Sequence, residues 1–236
     1  MSDPTHDATI DWTEYWTDAG EENHRGAGPA GRYTLEPLRS VLEDRGPPDS
    51  LADAGCGPGH VPLTVAADYP DASVVGYDAA EPVLDANRDR ADERGLENVA
   101  FERAVLPEFD PGRRFEAVSC FHTLVYVEAV ECALSALYDA VEPGGVLVFT
   151  YHNRLARSVF ESIAAAPHEH LGPDSPWDPD RFADRFELLL EGANLLSYER
   201  IHETLGRRPR SVWSVASDLE RYGAWRQNPL VYVPKP

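Results

Sequence analysis

Residues 53–59 read "DAGCGPG", three glycines at alternate positions with Asp53 two residues ahead of the first. Glycine lets a backbone approach a ligand with no Cβ in the way and takes positive φ at little cost. Gly55, Gly57 and Gly59 follow the apolar run "SLADA". They therefore belong at the carboxyl end of a strand, where open α/β sheets bind ligands. A dinucleotide fingerprint needs a glycine at position 60, which is His60, and a phosphate-binding loop needs Gly-Lys-Ser/Thr, which is absent. Asp78 ends the next apolar run, "SVVGYD". His122, Tyr126, Tyr151, His152 and Asn153 follow later strands and are the polar groups expected around the same crevice.

The elements that must position these groups are legible as alternating runs. A helix is predicted over about 31–44, strands over 50–54, 73–78, 98–103 and 115–121, and helices over 60–69 and over the segment with Pro82 near its start and Gly95 just after its end. Val130, Leu134, Leu137 and Val141 share a helical face, and "EPGG" (142–145) reads as a turn into a fifth strand, 146–152. Five apolar strands alternating with helices imply a parallel sheet covered on both faces. Further on, helices are expected over 154–166 and 178–191, the latter with Asp178 as N-cap and Gly192 as stop. "NLLSYERIHE" reads as a strand, 211–222 as a helix and "NPLVYVPKP" as a last strand. The expected fold is α/β, Rossmann-like, a seven-stranded mostly parallel sheet with helices on both faces. It forms one domain: an irregular arm or lid over 1–30, a cofactor-binding core over 31–152, and substrate-side elements over 153–236.

Composition narrows the setting. The 236 residues carry 41 acids against 21 bases, a net charge of −20, and Lys235 is the one lysine. The acids are dispersed, a pattern like that of extreme halophiles, in whose molar salt the Debye length falls to about 3 Å. The charge then says little about partners. No run of 18 apolar residues exists, so no membrane span is expected. Cys56, Cys120 and Cys132 lack CxxC spacing and fit free thiols in a reducing cytoplasm.

Asp53 with the alternating glycines, Asp78, and "VEPGGVLVFTYHN" at the fifth strand resemble the class I S-adenosylmethionine-dependent methyltransferases. The resemblance covers residues 30–152. It implies S-adenosylmethionine as cofactor, with Asp53 steadying the loop and reaching the amino acid end through water. Gly55, Cys56, Gly57 and Gly59 would lie along the methionyl part, and Arg32 at its carboxylate. Asp78 would accept both ribose hydroxyls, Val105 or Leu106 would flank the adenine, and His122 would stand beside the cofactor. His122, Tyr151 and Asn153 would position the acceptor.

The later segments "FHTLVYV", "LGPDSPWDPDRF", "IHETL" and "DLERYGAWRQNP" are similar in order to the tRNA 5-carboxymethoxyuridine methyltransferases, which esterify a carboxylate on a wobble uridine. "AGCGPG" departs from that family's usual glycine and glutamate. A carboxylate acceptor needs cationic donors rather than a base, and Arg154, Arg157, Arg200, Arg207 and Arg208 are the candidates. A small-molecule methyltransferase is the alternative, and a non-catalytic cofactor-binding protein the third. "GRRPR" (206–210) reads as an anion grip or a solvated loop. "PHEHLG" offers no third ligand, so no metal is expected. Trp12, Tyr15 and Trp16 either stack on a base or pack the arm.

Overall fold

The computed structural model describes residues 10–18, 33–173, 175, 177–219 and 226–236. Helix α1 (Trp12–Asp18) precedes α2 (Leu35–Arg45), after which strand and helix alternate. The series runs β1 (Ser50–Ala54), α3 (His60–Asp68), β2 (Ser73–Asp78), α4 (Glu81–Arg94), β3 (Val99–Arg103), β4 (Phe115–Cys120), α5 (Val130–Asp139) and β5 (Val141–Thr150). Five helices follow: α6 (Arg154–Ala165), α7 (Pro167–His170), α8 (Phe182–Arg185), α9 (Glu187–Glu191) and α10 (Tyr198–Leu205). Strands β6 (Arg210–Ser211) and β7 (Leu230–Pro234) close the sheet.

The seven strands lie in the order β3-β2-β1-β4-β5-β7-β6. β1 to β5 are parallel, and β7 runs antiparallel to both β5 and β6. Strand order reverses at β1 and β4, so a crevice opens beyond their carboxyl ends. One face buries Phe115, Val118 and Leu147 under α5 and α10, and the other buries Leu51 and Val148 under α2 and α3. No described helix is long and apolar enough to cross a membrane.

From β1 to β4 the boundaries match the expected ones within a residue or so, whereas α2 begins at Leu35 rather than near 31 and the later boundaries need correction. Residues 12–18 of the arm are helical, not irregular. Val141 belongs to β5, pairing with Phe115, and the ladder resumes at Ala117 with Val146. "EPGG" is thus a bulge inside the strand. A Cβ at Gly145 would stand 2.4 Å from the Glu116 carbonyl oxygen, so glycine is required there.

The 178–191 helix is broken. Asp178 does cap, but a 3-10 turn over Pro179–Arg181 leads into α8, and the chain leaves helical geometry at Phe186 (φ −113°, ψ 24°). Phe182 and Phe186 pack against Phe160, and tertiary packing overrides local propensity. "NLLSYERIHE" contains α10 instead of a strand. Ser197 accepts the Arg200 N–H, Gly206 ends the helix at φ 66°, and Ile201 and Leu205 form its inward face. Within 211–222, Ser211 pairs with Val231 and a 3-10 turn follows over Val212–Ser214. That pairing covers the edge of β7.

Candidate active site

The glycine loop leaves β1 with Gly55, Gly57 and Gly59 all at positive φ (71°, 46° and 73°). A Cβ at Gly55 would lie 2.2 Å from the Thr123 hydroxyl, and one at Gly59 2.8 Å from Asn87. The loop is fixed from three sides. Gly55 and Cys56 both donate N–H to the Tyr77 carbonyl at 2.8 Å. Gly57 donates to Asp78 Oδ2 at 2.9 Å. Asn87 Nδ2 donates to the Gly57 carbonyl at 2.7 Å, and Arg90 donates to both Asn87 Oδ1 and the Pro58 carbonyl. Asn87 is fully buried on α4. Sequence reading missed it, although the signal was there: it occupies an inward position between Val83 and Ala91, where an apolar side chain is the rule.

Beyond the loop is a cavity of about 240 Å³, bordered by Gly55, Gly57, Asp78, Val105, Leu106 and His122. Asp78 also accepts the Ala80 N–H, so each of its oxygens holds one backbone donor and retains a lone pair. Burial raises its carboxyl above the ordinary value, against those N–H groups. A second cavity of about 50 Å³ shares Gly55, Gly57 and His122 and adds Asp53 and Cys56. Gly59 borders neither and begins α3. Arg32 lies outside the described residues.

Asp53 is buried with Ser119 donating to Oδ1 at 2.6 Å, and burial pushes its carboxyl from 3.8 up to about 7. The folded chain then holds this proton more tightly than the unfolded chain. Asp53 therefore costs stability increasingly as pH rises from about 4 to about 7. Asp53→Asn keeps the shape and removes the ionisation. Its melting temperature should gain on that of the wild type across this window and keep a constant margin above it. Parallel melting curves over pH 4 to 8 would show that the carboxyl titrates normally.

His122 stands just past β4 at φ 58°, the one non-glycine residue at positive φ among those described. Its backbone N–H donates to Thr150 Oγ1 at 2.8 Å, and Asn228 Nδ2 meets its Nδ1 at 2.9 Å. Nε2 is buried with no hydrogen-bond partner among the described residues. Burial lowers the imidazole to about 4, and burial beside His122 lowers His152 to about 3, so both rings are neutral near pH 7. The other two expected acceptor residues serve structure. Tyr151 is buried in the core near Phe149. Asn153 caps α6, accepting from Leu155 and Ala156 and donating to the Arg226 carbonyl.

No arginine borders either cavity among the described residues. Arg154 is exposed on α6, Arg157 pairs with Glu161, and Arg200 pairs with Glu131. Arg207 lies beside Tyr138, near the amino-terminal end of β5 and so away from the glycine loop. Arg208 is exposed next to it. His168 pairs with Asp180 at 3.0 Å. What closes the cavity instead is aromatic. Trp12 and Trp16 of α1 line it, Trp16 lies against Gly57, and Trp12 meets Tyr126 edge-on with ring centroids 4.7 Å apart.

Known proteins are similar to this chain in part of the sequence and in fold. Residues 51–145 match the family described as "Methyltransferase domain". Trans-aconitate 2-methyltransferase of Methylobacterium radiotolerans is 28% identical over 55% of this chain and 46% of its own length. Ubiquinone biosynthesis O-methyltransferase of Shewanella pealeana is 29% identical over 64% of this chain and 68% of its own. The chain thus spans about half of the first relative and two thirds of the second. Among solved structures, magnesium protoporphyrin IX methyltransferase of Synechocystis with bound SAM superposes with a TM-score of 0.63 over the full length of both chains, at 15% identity. N-methyltransferase NodS of Bradyrhizobium japonicum gives 0.62 over 98% of this chain and 100% of its own, at 14%. At such identities the structures establish the fold alone, and the family match extends over residues 51–145. Residues 51–145 are thus similar to a methyltransferase domain, on a fold that the chain shares with methyltransferases solved with bound SAM or SAH.

Proposed function

We propose that this chain methylates an oxygen of a small molecule. The observation that carries the reading is the cavity: mostly aromatic and apolar, with Asp78, His122, Thr123 and Glu128 as its polar groups, roofed by α1, and bordered by no described arginine. The curated relatives named above support it, since their names specify an O-methyltransferase and a trans-aconitate methyltransferase. Esterification of a tRNA wobble carboxylate rests on the order of short sequence segments alone. Of the arginines it would need, Arg157 and Arg200 are ion-paired with acids of this chain and Arg207 lies away from the loop.

S-adenosylmethionine supplies a methyl group on a positively charged sulfur, which is already a strong electrophile. The chain's task is therefore alignment and the exclusion of water. Gly55 and Gly57 leave space along the loop for the methionyl part, with Asp53 and Cys56 beside it. Asp78 offers its remaining lone pairs to the ribose hydroxyls, and Val105 and Leu106 form an apolar wall for the adenine. His122 directs Nε2 to the acceptor oxygen, its ring oriented by Asn228. Trp12 and Trp16 cover the site.

Incubation with methyl-labelled cofactor, in high salt, against bulk tRNA and a metabolite extract tests this, with mass spectrometry of the products. Label is expected in the small-molecule fraction as a methyl ether or ester. Label confined to tRNA would overturn the small-molecule reading, and no label in either fraction would overturn methyl transfer.

A further inference from the structure

Beside the aromatic wall lies a charge for which methyl transfer, as described, has no use. Arg185 of α8 is part-buried, and its Nε donates to the Tyr126 hydroxyl at 3.1 Å. Its guanidinium carbon is 5.2 Å from the centre of the Tyr15 ring, 5.7 Å from those of Tyr126 and Phe186, and 6.0 Å from that of Trp12. Among the described residues no carboxylate pairs with it. What sets it apart is its enclosure by aromatic rings, whereas the more exposed Arg39, Arg88, Arg157 and Arg200 each meet an Asp or Glu. Aromatic faces recover part of the hydration a buried cation loses, but a counter-ion is what offsets the rest. Tyr126 and Tyr15 engage the guanidinium and leave most of its N–H donors without an acceptor among the described residues.

Two of these rings, Trp12 and Tyr126, also border the cavity. We propose that Arg185 is an anion-binding subsite for the acceptor, which is a planar hydroxy acid. Its body lies against Trp12 and Tyr126, its carboxylate pairs with Arg185, and its hydroxyl oxygen is the methylated atom. The carboxylate is then a handle remote from the transferred methyl, in keeping with the absence of arginine from the cavity border. A guanidinium with free parallel N–H groups matches a carboxylate in two-point contact. This subsite rests on the small-molecule reading above and names its substrate class.

The test is binding, measured by calorimetry on protein saturated with S-adenosylhomocysteine. The probes are 4-hydroxybenzoate and 4-hydroxycinnamate, each against its neutral amide. Wild type should bind the acids about tenfold or more tighter than the amides, as expected for a charge-assisted contact. Arg185→Met, which keeps the side chain's length, should erase that preference and leave the Kd for S-adenosylhomocysteine within about threefold of wild type. Arg185→Lys, which keeps the charge, should retain a weaker preference, since it loses the planar fork. Equal binding of acids and amides by wild type, or a preference that survives Arg185→Met, overturns the subsite. So does an Arg185→Met protein that loses S-adenosylhomocysteine and acids alike, because Arg185 would then only hold α1 in place. Failure of wild type to bind S-adenosylhomocysteine would remove the methyltransferase reading and the subsite together.

Discussion

Replacing Asp78 with alanine is expected to weaken S-adenosylhomocysteine binding by about 1–3 kcal/mol, roughly five- to 150-fold. Two effects act in the same direction. The first is the loss of a charged acceptor at the edge of the cavity, where the ribose hydroxyls need one. The second is the release of the loop: Asp78 is the acceptor for the Gly57 N–H, and it ties the end of β2 to the turn after β1. Asp78→Asn separates them, since one amide oxygen still accepts a backbone N–H while the negative charge is gone. It should fall between wild type and alanine. Calorimetric titration measures all three, with circular dichroism confirming that each variant folds. An Asp78→Ala protein that folds and binds with wild-type affinity would falsify the ribose assignment.

How much of this was readable in the sequence follows from the range of the interactions involved. β1, β2 and β4 are buried on both faces, so each is a short apolar run, and Gly55 and Asp78 mark where β1 and β2 stop. Their carboxyl ends are neighbours by topology, which is why Asp53, Gly55, Gly57, Asp78 and His122 could be placed at one site from order alone. The later boundaries depend on tertiary contacts that leave no local trace. α10 is short, and a run with Leu195, Leu196 and Ile201 suits either period until Ser197 and Gly206 are seen to cap it.

The same limit applies to individual side chains. Asn228 orients His122 from 106 positions away, and no pattern near either residue announces the other. Nothing in the sequence around Arg185 sets it apart, because its enclosure is built from α1 and from the segment after β4. The five arginines chosen from sequence were chosen for their charge. Two of those charges are already taken by neighbouring acids, as Glu161 takes Arg157 and Glu131 takes Arg200.

The second large effect is expected at His122, and the choice of substitution decides whether the result can be interpreted. Its backbone is left-handed at φ 58°, a region that asparagine tolerates and alanine does not. His122→Asn therefore keeps the turn and removes the imidazole. With the acceptor identified by labelled transfer, kcat should fall by about 10²–10³-fold, the usual scale for a positioned group that hydrogen-bonds the reacting atom. Affinity for S-adenosylhomocysteine should stay within about threefold, because the loop and Asp78 are untouched. The pH dependence separates His122 from Asp53. Burial holds the imidazole near 4, so its neutral form dominates throughout pH 6 to 8 and kcat should be flat there. Asp53, pushed up to about 7, acts at the cofactor and should appear in cofactor binding instead. Burial also makes folding release a proton from His122 between about 4 and 6.5, so its contribution to stability rises with pH across that window, opposite in sign to that of Asp53. A His122→Asn enzyme with wild-type kcat would leave Nε2 as a buried structural nitrogen. The acceptor oxygen would then have to be held by the aromatic wall and Arg185 alone.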